Sequence, residues 1–100
     1  MKQWDLHITY GLKHYTVKSV VEYHSNQIMR IRVNGSKTSL LLENNYPLLN
    51  HTKSKKRIEW KIREGKIDKE IEKNSRLMLE IMEQLEYLIK KEFSTSSGIL

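Results

Sequence analysis

Cysteine is absent from the 100 residues. That removes a disulfide framework, a thiolate zinc site and a cysteine nucleophile together, and it suits a reducing compartment. Long apolar runs are also missing: the longest aliphatic stretch, Leu40-Leu41-Leu42, is far too short to cross a bilayer. The opening Met1-Lys2-Gln3-Trp4-Asp5 meets an acidic residue before any apolar core can form, so no secretory leader is expected and the expected location is the cytoplasm. Proline occurs once and glycine four times. No glycine-rich phosphate loop or nucleophile elbow is among them. Gly35-Ser36-Lys37-Thr38 lacks the upstream glycine of a phosphate loop and falls in a hairpin pattern. Acidic residues are outnumbered 12 to 18 by Lys plus Arg, leaving a net charge of +6.

The composition that remains, 38% hydrophobic with a mean hydropathy of −0.64, supports one modest domain. A chain of this size buries only about two-thirds of its unfolded surface. Trp4, Leu6, Ile8 and Tyr10 alternate with Asp5, His7 and Thr9, the period of a half-buried strand. A two-residue turn at Gly11-Leu12 then sets Thr9 opposite His14, Ile8 opposite Tyr15, Leu6 opposite Val17 and Asp5 opposite Lys18. A three-residue loop Ser25-Asn26-Gln27 is predicted next, pairing Tyr23 with Met29, Val21 with Ile31 and Glu22 with Arg30. Asn34-Gly35 fits a type I′ turn, leading to Thr38, Leu40 and Leu42 on the core face. Ile58, Trp60 and Ile62 read as a fifth strand, attached to an edge that the pattern leaves open.

From Asp68 to Phe93 the period becomes helical, with Ile71, Met78, Ile81, Met82, Leu85, Leu88, Ile89 and Phe93 on one stripe. The expected architecture is α+β: an antiparallel four- to five-stranded meander over 3–63, a basic loop at 44–57 and one long amphipathic helix over 68–93 packed on one sheet face. Residues 94–100 are expected to fray. Such a helix of about 26 residues would span roughly 39 Å and overhang a strand of about 27 Å. Its stripe covers about 160° at about 100° per residue, wider than one sheet face requires. The surplus points to a homodimer through Leu77, Leu79, Ile81 and Leu88; the alternative is that Leu77 and Leu79 cover the sheet edge or the long loop.

The charge is uneven, +3 over residues 1–50, +4 over 51–73 and −1 over 74–100. The alternation assigns Lys18, Arg30, Arg32, Lys37, Lys61, Arg63, His7, His14 and His24 to the open sheet face, against Asp5, Glu22, Glu43 and Glu59. Arg30, Arg32, Lys61 and Arg63, with Lys53, Lys55, Lys56 and Arg57 beside them, form the candidate surface for nucleic acid or an acidic protein. The bland alternative is a solvated face, partly neutralised by Asp5–Lys18 and Glu22–Arg30. Trp4, Tyr10, Tyr15, Tyr23 and Trp60 all fall on the covered side. No catalytic residue, cofactor or metal site emerges: His7 and His14 are diagonal neighbours about 7–8 Å apart, but a zinc site needs three or four ligands. The reading is of a non-enzymatic binding module, with nonspecific nucleic-acid binding as the alternative.

Four antiparallel strands followed by a helix resembles, in element order, one repeat of the PUR-alpha and Whirly single-stranded nucleic-acid-binding folds. That resemblance implies bases stacked on sheet aromatics, whereas the alternation leaves the open face with none. Met1-Lys2-x-Trp4-Asp5-x-x-Ile8-x-Tyr10 resembles the first strand of small Bacteroidetes proteins without an assigned activity, and implies a cytoplasmic bacterial protein.

Overall fold

Alternating side chains can be buried on one side only if the chain is extended and its neighbours keep step, and the N-terminal half meets that condition. The computed structural model describes residues 2–10, 12–35, 39–65 and 75–93. Its elements are β1 (Gln3–Tyr10), β2 (Lys13–His24), β3 (Met29–Asn34), β4 (Ser39–Asn44), α1 (Tyr46–His51), β5 (Trp60–Glu64) and α2 (Ser75–Phe93). The five strands form one antiparallel sheet in the order β1-β2-β3-β4-β5, which is the α+β meander expected, with β5 added beside β4. The predicted helix start at 68–74, the tail 94–100 and the side chain of Tyr10 lie outside the described residues. The described part of α2 has 19 residues, about 28 Å at 1.5 Å per residue. No helix among the described residues is long and apolar enough to cross a membrane.

Leu6, Met29, Ile31, Leu42, Leu85 and Ile89 are fully buried where α2 crosses the sheet, each such side chain contributing about 1.5–3 kcal/mol through burial. Both tryptophans lie on the helix side: Trp4 meets the Phe93 ring edge-on at 6.3 Å, and Trp60 Nε1 donates to Glu86 Oε1 at 2.9 Å. β1 and β2 pair in the predicted register, with Asp5 opposite Lys18 and Ile8 opposite Tyr15.

Two connections differ from expectation. Ser25 to Ile28 forms a four-residue loop, because His24 pairs with Met29. Ser25 organises it: its N–H donates to Ile28 O at 2.9 Å, and its Oγ accepts the N–H groups of Gln27 and Ile28, each at 3.1 Å. The extra residue is absorbed by a bulge between Val21 and Tyr23, which restores the predicted Val21–Ile31 pair. Beyond the bulge the faces exchange. Tyr23, expected on the covered side, lies opposite Arg30 and under its guanidinium, 5.2 Å from the ring centroid. His24, expected on the open side, stacks edge-on against Phe93 of α2 at 4.9 Å.

The hairpin after Val33 corrects the Asn-Gly reading. Asn34 is the last residue of β3 and pairs with Ser39, so Val33 meets Leu40 where a type I′ turn would give it Ser36. This slide of β4 by four residues is even, and an even slide leaves every side chain on its predicted face. It sets Leu40 and Leu42 across from Val33 and Ile31, all of them buried. Lys37 and Thr38 lie outside the described residues. At the end of β5, Gly65 has φ 94°, and a Cβ there would meet the Ser39 carbonyl oxygen and the Leu40 side chain.

Candidate binding groove

On the open face the arginines are held by carboxylates. Arg32 forks Glu22 through Nε and a terminal nitrogen, both at 3.2 Å, and donates to Glu64 at 2.9 Å. These bonds, Glu22 first and then Glu64, push the Arg32 pKa above its ordinary value. Glu43 accepts from Arg30 at 3.0 Å and has Arg63 at 3.8 Å. Glu22 therefore serves Arg32, where the alternation predicted Arg30, because the bulge re-aims it. Leu41 sits opposite Arg32 across one interstrand step and opposite Glu64 across the other, and is only 8% exposed although it faces this side; the apolar stems of such charged side chains cover it. Asp5 and Lys18 are register partners but are not among the ion pairs formed by described residues. The basic sheet face expected from the alternation is thus a ladder of three arginines and three glutamates, together with exposed Lys18 and Lys61. His14 is tied to Thr9 by a 3.0 Å hydrogen bond. Among the described residues no three His, Asp or Glu side chains converge as a metal would require.

The segment 44–57, expected as an open loop, begins with a short helix. Asn44 Oδ1 accepts the Tyr46 N–H at 2.9 Å, Pro47 stands in the first turn, and Tyr46 and Leu49, three apart, are buried. That spacing and the lone proline were the sequence signal for α1. The helix ends in a Schellman pair: Ser54 N–H donates to Leu49 O at 2.8 Å and Lys53 N–H to Asn50 O at 3.3 Å. Lys53 occupies the left-handed position of that motif, at φ 57°, where glycine is the usual residue. The loop's far end is tied by the Glu59 N–H donating to Asn45 Oδ1 at 2.8 Å, and Asn50 Nδ2 joins α1 to Phe93 O at 3.1 Å.

Lys53, Lys55, Lys56 and Arg57 are all exposed, and none is ion-paired with another described residue. They form one wall of a groove of about 1120 Å³ whose other wall is α2, through Leu79, Met82, Glu83, Glu86 and Lys90. Tyr46, Leu49, Ile58 and Trp60 also line it. Of the residues expected at a dimer interface, Ile81 is corrected outright: at 6% exposure it belongs to the intrachain core. Leu88 packs partly buried against that core, and the Leu77 side chain lies outside the described residues. Leu79 is 54% exposed on the groove wall. No protein-family model, curated protein or solved structure matches this chain.

Proposed function

We propose that this protein is a non-catalytic binding module that recognises a polyanionic partner through the loop Lys53–Arg57. The observation that carries this reading is the division of the cations. Arg30, Arg32 and Arg63 are neutralised by neighbouring carboxylates, which leaves the sheet face only the separated Lys18 and Lys61 outside the ion pairs of described residues, while the loop clusters four exposed cations with no ion pair to a described residue. Charges already paired gain little from a new anion, whereas clustered free charges attract one over a Debye length of about 8–10 Å. The left-handed backbone at Lys53 supports the same reading, since strain retained at a residue that glycine would relieve points to a use for its side chain.

An extended nucleic-acid track over Arg30, Arg32, Lys61 and Arg63 is disfavoured by the same ladder, because Glu22, Glu43 and Glu64 would repel phosphates there. The test is anisotropy titration of a labelled acidic peptide and of single- and double-stranded DNA and RNA at low and physiological salt. The protein is expected to bind polyanions with an affinity that falls as salt rises, and Lys55→Glu with Lys56→Glu to abolish binding while leaving the fold intact. No interaction with any polyanion at low salt would refute the reading.

A further inference from the structure

The groove has more in it than anion capture requires. Its floor is apolar, made by buried Tyr46 and Leu49 and partly buried Ile58, Trp60 and Met82, and Leu79 stands at the rim more than half exposed. The Trp60 indole is already held by Glu86, so its ring needs no ordering when something packs on it, and such preorganisation lowers the cost of binding. The charges around this floor are Lys53, Lys55, Lys56, Arg57 and Lys90 against Glu83 and Glu86, with Glu86 committed to Trp60.

We infer that the groove takes an acidic segment of another protein, carrying a bulky apolar side chain that anchors on Leu79, Met82, Ile58 and Trp60 while its carboxylates meet Lys55, Lys56 and Arg57. The inference rests on the reading of the loop as an anion-binding surface and names the partner's chemistry. Glu83 on the α2 wall opposes a continuous line of phosphates, and most of the floor, Leu49, Ile58, Met82 and Leu79, is aliphatic surface on which a base does not stack. A peptide places its carboxylates on one side and its apolar residue on the other, which is the division the two walls and the floor present. A second copy of this chain is the rival occupant, since α2 itself carries Glu80, Glu83 and Glu86 without an intervening cation. Its net charge of +6 sets two copies against one another, whereas a free acidic segment is attracted.

Three labelled probes separate these cases: a short peptide of Glu and Leu, the same peptide with every Leu replaced by Ser, and a single-stranded oligothymidylate. The Glu/Leu peptide is expected to bind about tenfold or more tightly than the Glu/Ser peptide, the factor that about 1.4 kcal/mol of apolar burial supplies. Leu79→Ser is expected to shrink that difference without weakening the Glu/Ser peptide, and because Leu79 is more than half exposed the variant remains folded with at most a small drop in thermal midpoint. Equal affinity for the two peptides would overturn the apolar anchor while leaving anion binding by the loop standing. Tighter binding of the oligothymidylate than of either peptide would overturn it in favour of nucleic acid. A dimer of the protein alone in sedimentation, dissociated by Leu79→Ser, would overturn it in favour of a second copy. Failure of all three probes to bind would overturn both the inference and the reading beneath it.

Discussion

Lys53 sits where the chain reverses out of α1 with φ 57°, a conformation that costs a residue with a Cβ roughly 1–2 kcal/mol. The Schellman bonds at Asn50 and Leu49 hold it there, and its own side chain forms no ion pair with a described residue. Lys53→Gly is therefore expected to raise the free energy of unfolding by about 0.5–1 kcal/mol, part of the relieved strain being offset by the greater freedom of glycine in the unfolded chain. The same change removes a loop cation and should weaken polyanion binding, so stability and affinity move in opposite directions. Denaturant unfolding beside an anisotropy titration measures both; a loss of stability would show that the left-handed turn is not strained.

Among the elements, the sheet edges are treated differently. β1 is an edge strand, and α2 reaches around it: Gln84 Nε2 donates to His7 O at 2.7 Å, and the His7 N–H donates to Gln84 Oε1 at 3.3 Å. One side-chain amide thereby stands in for a neighbouring strand, blunting an edge that would otherwise invite pairing. β5, at the other edge, has only five residues, an adjoining register shift and exposed Lys61 and Arg63, which protect it by shortness, irregularity and charge. Gln84→Ala is expected to cost about 1 kcal/mol, the net worth of partly exposed hydrogen bonds. It should also raise hydrogen exchange at the His7 amide selectively; unchanged protection there would mean the latch does not close in solution. The alternation from Trp4 to Tyr10 was enough to place β1 and its faces, but Gln84 gave no signal, because its role depends on where α2 crosses.

At the scale of the whole molecule, whose net charge is +6, the sheet-face arginines and the loop cations differ in kind. Arg30 and Arg32 are bonded to glutamates from β2, β4 and β5 and Arg63 lies beside Glu43, whereas the loop cations are exposed and pair with no described residue. Arg32→Ala should accordingly lower the thermal midpoint yet leave the salt dependence of polyanion binding unchanged, whereas the paired loop reversal does the opposite. The direction of the Arg32 shift sets the pH window. A raised pKa in the folded state means its contribution is fully present below the ordinary arginine range and is lost only as pH climbs beyond it. The stability gap between Arg32→Ala and wild type is thus expected to persist from neutral to moderately alkaline solution. Thermal unfolding at two such pH values checks this, and a gap that closes on mild alkalinisation would contradict it.

Parity belonged to the sequence: a period of two assigns Leu6, Ile8, Ile31, Leu40 and Leu42 to one side, and burial enforces that assignment under any register that slides by an even step. The even slide at β4 left it intact, and two irregularities broke it: the bulge at Glu22 exchanged Tyr23 and His24, and the shift in β5 brought Glu64 opposite Leu41 on the open face. Which cations stay free was decided by the tertiary structure, because an ion pair depends on residues that strand register and bulges bring opposite one another, as with Arg32 between Glu22 and Glu64. The groove has the same origin, since its walls come from segments distant along the chain and local periodicity carries no information about how such segments meet.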